Sequence, residues 1–378
     1  MQRGASRASD FKYVYGAARH VWEHRALSVR SQARYPITFH VLLAPLAAFP
    51  LGVAVAVWAV LSLAAIAALP HVLEGLSGRD LRQQLLAWAS VLPFFIDALV
   101  LGQSDPINLF LVAAGLLLAC KNRCMAGAWL IGLAGLVKFL PLVHWGTLLS
   151  RQRSWNVWLG MVLSVATGLG LLVAVLGTSG AQDGIRQQIA YLRGRHSPLG
   201  IIERGADLRP NNESIPMVLV RLCGDLPQES ERLAPIRLPR LSVRAIFGVW
   251  YGTVGLLAAG WLAAAYLASG LPPGRGWLAI FALSSILMLA STPICWNHYF
   301  LWTLPAALFL GHRRRLLGTL AAANLGVTLC SAARALGGHM MIAIGLFGLV
   351  LTDLANSSSA GGNCPQDAGQ ETTNFSRN

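Results

Sequence analysis

Charge is what this sequence has least of. Of its 378 residues only 12% are charged and 55% are hydrophobic, whereas a soluble globular domain carries roughly 25% charged residues. A surface so poor in charge is solvated by lipid rather than water. Acidic residues are the scarcer sign, 16 against 30 basic, and too scattered for a carboxylate cage around a metal. The six cysteines, at 120, 124, 223, 295, 330 and 364, include no CxxC pair, which argues against a disulfide framework and a four-ligand zinc site. Cys120 and Cys124, flanking Lys121 and Arg123, read as small apolar residues at helix ends. No apolar core follows a basic stub at the start, since Met1 to Arg34 is polar and basic, so no signal peptide is expected there. No internal repeat is visible. Neither a metal nor a cofactor is expected.

The basic excess, a formal charge of +14, lies in short clusters between apolar runs. That is how a membrane protein carries its topological signals, and it argues against a nucleic-acid partner. A span needs about 20 apolar residues to cross a core of roughly 30 Å. The clearest runs are 51–69, 83–101, 156–177 and 243–269, with shorter ones at 106–120, 277–292, 299–311, 315–333 and 338–353. The stretch 125–150 is interrupted by Lys138 and Pro141 and predicts a helix pair that enters and returns beside a cavity. The fold class is therefore all-α, a polytopic transmembrane protein with about ten crossings or half-crossings. Residues 1–36 form an outer N-terminal segment, 37–355 the transmembrane domain with an outer loop at about 178–242, and 356–378, rich in Ser, Gly, Asn and Gln, a disordered tail.

Orientation follows from the arginines and lysines. With Met1 to Arg34 outside, Arg79, Arg82, Lys121, Arg123, Arg151, Arg153, Arg275 and Arg313 to Arg315 fall inside, and only Arg334 lies in a short outer loop. The long loop escapes the rule. The polar oddities then gather on the outer face: Asp10, the turn Gly102 to Asp105, the long loop and Trp296 to His298.

Individual residues in these segments stand out. Lys138 is costly in an apolar run and marks a functional position by default, with snorkelling toward the interface as the alternative. Asp105, followed by Pro106, fits a helix N-cap and first helical residue. Trp296, Tyr299 and Trp302 also suit an interfacial aromatic belt. Arg204, Arg209 and Arg221 of the long loop are able to approach a phosphate, or form a solvated basic loop. Asn212-Glu213-Ser214 matches a glycosylation sequon, a pattern too short to mean much. His71, His144, His196, His312 and His339 form no cluster.

Taken in order, Asp10-Phe11 with Tyr13 and Tyr15, Tyr35-Pro36 running to Ala44-Pro45-Leu46, Gly102-Gln103-Ser104-Asp105, Lys138-Phe139-Leu140-Pro141, Asn212-Glu213-Ser214 and Thr292-Pro293-Ile294-Cys295-Trp296-Asn297-His298 resemble the family 87 glycosyltransferases, of the GT-C class. The resemblance covers Asp10 to about Leu310. It implies a GT-C-like fold and transfer of a hexose, mannose first, from a polyprenyl-phosphate donor to a glycolipid or glycan acceptor. The reaction would invert the anomeric carbon on the periplasmic or exterior side of the inner membrane. It further implies Asp10 as general base, His298 at the departing phosphate or holding the base, and Trp296 as a stacking face. Gln103, Lys138, Asn212 and Tyr35 complete the substrate-binding set. Members usually carry a helix ahead of the acidic residue, so a preceding helix is expected to be missing here. Asp105 replaces the family's common Asn, Glu213 its Gln, and Tyr299 a frequent second His.

Other classes remain open on the residues alone. A lipid or solute transporter would also place a lysine and broken helices near the midplane, and a non-catalytic scaffold or truncated relative fits the missing helix.

Overall fold

The computed structural model describes residues 9–27, 35–193, 200, 208–224 and 238–360. Among the described residues every regular element is helical, with no strand. Two short helices, α1 (Ser9–His24) and α2 (Ile37–Leu43), precede the long apolar ones. Then come α3 (Leu51–Ser77), α4 (Leu81–Leu101), α5 (Asp105–Cys120) and α6 (Cys124–Val137), followed by α7 (His144–Arg151) and α8 (Trp155–Arg193). The remainder is α9 (Ile215–Cys223), α10 (Val243–Leu267), α11 (Pro273–Ser291), α12 (Leu304–Phe309), α13 (Arg314–Leu329), α14 (Ser331–Ala335) and α15 (Gly338–Ala360). Six of them are long and apolar enough to cross a membrane: Leu51–Ser77, Leu81–Leu101, Trp155–Arg193, Val243–Gly270, Pro273–Ser291 and Gly338–Ser358.

Local chemistry sets the ends. Asp80 caps α4 by accepting from the Gln83 N–H at 2.8 Å, satisfying a donor that the first turn leaves orphaned. At its other end Gly102 turns left-handed, φ 67°, which side chains with a Cβ rarely adopt. The interruption expected at Lys138 is there: α6 stops at Val137, Lys138 is extended, and a 3₁₀ turn, Leu140–Val143, leads into α7. The long outer loop holds more structure than its polarity predicted. α8 runs on past a break at Gly177, whose φ 73°, ψ 171° is a glycine conformation, and α9 lies within the same loop. Of the tail read as disordered, the first residues continue α15 to Ala360; residues 361–378 lie outside the described residues, as do Arg204 and His196.

α11 is the axis of the bundle, buried from Trp277 through Ala290 except for the half-buried Leu287, as a helix apolar nearly all round must be. α3, α7, α10, α12 and α15 pack around it, and its Ser284 hydroxyl joins Thr147 and Trp261 at 2.7 Å each. At one end of the bundle Arg275, Arg313 and His312 surround the Asp353 carboxylate at 3.1, 2.9 and 3.3 Å, and Arg151 donates to the Ala268 carbonyl at 2.6 Å. The polar loops of the other end carry the site.

Candidate functional site

α1 reaches the site because of what it docks on. Phe11 stacks on Trp58 with centroids 5.7 Å apart, Tyr15 donates to the Phe49 carbonyl at 2.8 Å, and Trp58 donates to the Gly102 carbonyl at 3.0 Å. A Cβ on Gly102 would stand 2.7 Å from the Phe11 Cβ, so the glycine allows both the turn and the close approach. Asp10 is thereby set beside Gln103. The Gln103 Nε2–H donates to Asp10 Oδ2 at 2.5 Å, and its Oε1 accepts from the Tyr35 hydroxyl at 2.9 Å. Desolvation holds the Tyr35 phenol above its usual range, so it serves as a neutral donor.

A second cluster forms around Asp105. Lys138 Nζ lies 2.8 Å and 3.1 Å from its two carboxylate oxygens, and the Trp302 indole donates to Oδ1 at 3.2 Å. Asp105 is the first residue of α5, yet its carboxylate accepts from these side chains and caps no backbone N–H, contrary to the expected cap. Lys138 is buried rather than snorkelling, and its ammonium also sits 3.7 Å above the Tyr299 ring. Trp302 is 1% exposed, which removes it from the expected interfacial belt. His298 stands between the clusters and is itself buried.

Of these residues Asp10 and His298 line a cavity of about 160 Å³. Asp10 and Asp97 supply its carboxylates, Arg209 its guanidinium, and Trp296, Asn297 and His298 another wall. The Arg209 guanidinium lies 4.6 Å over the Trp296 ring. Asn212 is placed beneath the wall instead of in it. Its Oδ1 accepts from the Cys295 N–H at 3.0 Å, it pairs antiparallel with Trp296, and Glu213 N–H and Ser214 Oγ bond the carbonyls of Cys295 and Pro293 at 2.7 and 2.8 Å. The tripeptide clamps the strand-like stretch that carries Trp296. Arg221, buried and lowered to about 10 by desolvation, donates to the Asn212, Arg209 and Ala335 carbonyls and is a staple of this loop.

Two features escaped the sequence reading. Glu213 and His339 form a fully buried pair, Oε1 to Nδ1 2.6 Å, with the His339 backbone N–H on Oε2 at 2.8 Å. The carboxylate thus anchors the Asn212 loop to the start of α15. Asp97 lies within the apolar run 83–101, where an acid is costly, and that cost is the available signal. Among the described residues, no group of three or more His, Cys, Asp or Glu is placed to hold a metal ion.

A helical bundle with six membrane-length helices and, at one end, a polar cavity assembled from distant segments defines a multi-pass membrane protein with its site at one end of the bundle. The model of Glycosyltransferase family 87 matches residues 34–293, well over half of the chain, and the protein belongs to that family. It is a membrane glycosyltransferase, acting on a sugar donor and an acceptor. The matched segment includes Tyr35, Gln103, Lys138 and Asn212, whereas Asp10, Trp296 and His298 lie beyond its ends. Searches of curated proteins and of solved structures return no match.

Proposed function

We propose that the chain transfers a hexose, mannose by the family resemblance, from a polyprenyl-phosphate carrier to a glycolipid or glycan acceptor at the non-cytoplasmic face of an inner membrane. The observation that carries this reading is the presence, in one bundle, of a small polar cavity lined by Asp10, Arg209, Trp296 and His298 and of an apolar groove. That groove, about 430 Å³, runs between α2, α6 and α8 past Pro36, Thr38, Leu136 and Phe139, the chain neighbours of Tyr35 and Lys138. A lipid-linked phosphate needs such a pairing: isoprene units against apolar side chains, phosphate near cations, sugar against indole and carboxylate.

In this reading Asp10, steadied by Gln103, takes the proton of the acceptor hydroxyl as its oxygen bonds the anomeric carbon. The bond from that carbon to the phosphate oxygen breaks, and the electron pair leaves with the phosphate. A phosphate departs as an anion without a general acid, so one base suffices where glycoside hydrolases need two carboxyl groups. Attack opposite the leaving group inverts the centre. His298, Lys138 and Arg209 contribute most as charge grows on the phosphate.

The test is transfer of labelled mannose from polyprenyl-phosphate mannose to a panel of lipid and glycan acceptors by purified protein in detergent. Nucleotide sugars should not replace the donor. Asp10→Asn should lower turnover about 10²- to 10⁴-fold while donor binding persists. Substrate flux across sealed vesicles with no new glycosidic bond would overturn the proposal in favour of a transporter.

A further inference from the structure

Asp97 is the cavity carboxylate to which the transfer chemistry gives no task. It lies one turn before the end of α4, within a membrane-length helix, where an ionisable side chain is kept only for a reason. Its side chain is 36% exposed, and it faces the cavity. Among the described residues it makes no hydrogen bond, and its ionic neighbour is His298, whose Nδ1 is 3.7 Å from Oδ2. His298 is 1% exposed with both ring nitrogens unbonded, a costly state for a buried polar group unless a partner arrives. Its Nε2 points the other way, 3.8 Å from Asp105 Oδ2. The charged and titratable groups around the imidazole are therefore Asp97 from α4, Asp105 with Lys138 from α5 and the α6 break, and Tyr299 beside it. Asp10 and Arg209 share its cavity.

Of the two carboxylates flanking the ring, Asp105 already accepts from Lys138 and Trp302, while Asp97 accepts from no donor among the described residues. We propose that Asp97 is the positioning residue of His298: it accepts the Nδ1–H and fixes the ring, so that Nε2 faces the Lys138 side and, when the ring is the imidazolium, donates its N–H to the ligand phosphate. A carboxylate on one imidazole nitrogen decides the tautomer and the orientation of the other. The gap of 3.7 Å is one that closes with substrate in place, since such contacts are often long in empty sites. The identity of that ligand rests on the proposed function; the tautomer does not.

The tautomer is read directly in full-length protein carrying ¹⁵N-histidine in detergent, with the His298 signals assigned by their loss in His298→Gln. At alkaline pH, with the ring neutral, wild type should carry its proton on Nδ1. Asp97→Glu should keep it there, and Asp97→Asn, whose amide donates, should move it to Nε2. A wild-type ring protonated on Nε2, or an Asp97→Asn spectrum unchanged from wild type, overturns the assignment. If Asp97→Asn does not fold, the wild-type spectrum and that of Asp97→Ala decide in the same way. In the transfer assay Asp97→Asn should lower kcat about 10- to 100-fold with KM nearly unchanged, and cost less than about threefold once His298→Ala is present. Losses that multiply in the double variant would mean that Asp97 acts independently of His298 and overturn the role. Wild-type protein with the expected spectrum but no transfer would instead sink the proposed function alone.

Discussion

At the scale of single residues, the site was legible where a residue was out of place in its own neighbourhood and illegible where its meaning lay in a distant partner. Lys138 stood out because an ammonium is costly among apolar side chains, yet its partner Asp105 is 33 residues away and read locally as a cap. Glu213 and His339, 126 residues apart, gave no local sign at all. The Lys138–Asp105 pair carries a stability consequence. With side chains 8% and 2% exposed, neither charge has water to fall back on, and removing one partner of such a pair costs about 3–5 kcal/mol. Lys138→Met should therefore lower the thermal midpoint markedly. Because a buried pair replaced by apolar residues is often neutral, adding Asp105→Leu should recover most of the loss, less the Trp302 hydrogen bond. Thermal unfolding of the two variants in one detergent checks this. Equal midpoints for Lys138→Met and wild type would show that the carboxylate is solvated in the empty site.

At the scale of elements, hydrophobic length was the reliable guide. The nine apolar runs and the interrupted stretch each correspond to helices, because a segment surrounded by lipid must satisfy its backbone internally. Helix α1 and the helical turns inside the outer loop were not legible, since outside the apolar core length loses its meaning and docking decides. For α1 the docking hinges on Gly102. In Gly102→Ala the left-handed turn costs about 1–2 kcal/mol, and the new methyl meets the Phe11 Cβ at 2.7 Å. The expected outcome is displacement of α1, with the Asp10–Gln103 hydrogen bond lost while the bundle around α11 holds. Hydrogen exchange should rise over residues 9–24 and stay unchanged over 273–291. A rise spread evenly over both would mean that the turn supports the whole bundle.

At the scale of the whole molecule the two ends differ in charge, and that difference is the basis for proposing which way the protein sits. Arg151, Arg275 and Arg313 meet at the end away from the cavity, and they belong to the ten basic residues against one that the alternation of spans places on a single side. Short basic loops favour the cytoplasm, so we propose that the cavity end faces outward. This is also the side on which a lipid-linked sugar is the available donor. The orientation is testable without any substrate. Pro239, exposed just ahead of α10 at the cavity end, and Arg153, exposed between α7 and α8 at the basic end, are suited to single cysteines in a background with the six native ones replaced. An impermeant thiol reagent applied to intact cells should label Pro239→Cys and spare Arg153→Cys, which should react only after the membrane is opened. The reverse pattern would put Asp10 and His298 on the cytoplasmic side, where nucleotide sugars are at hand, and would remove the argument for a polyprenyl-phosphate donor while leaving the fold and the family untouched.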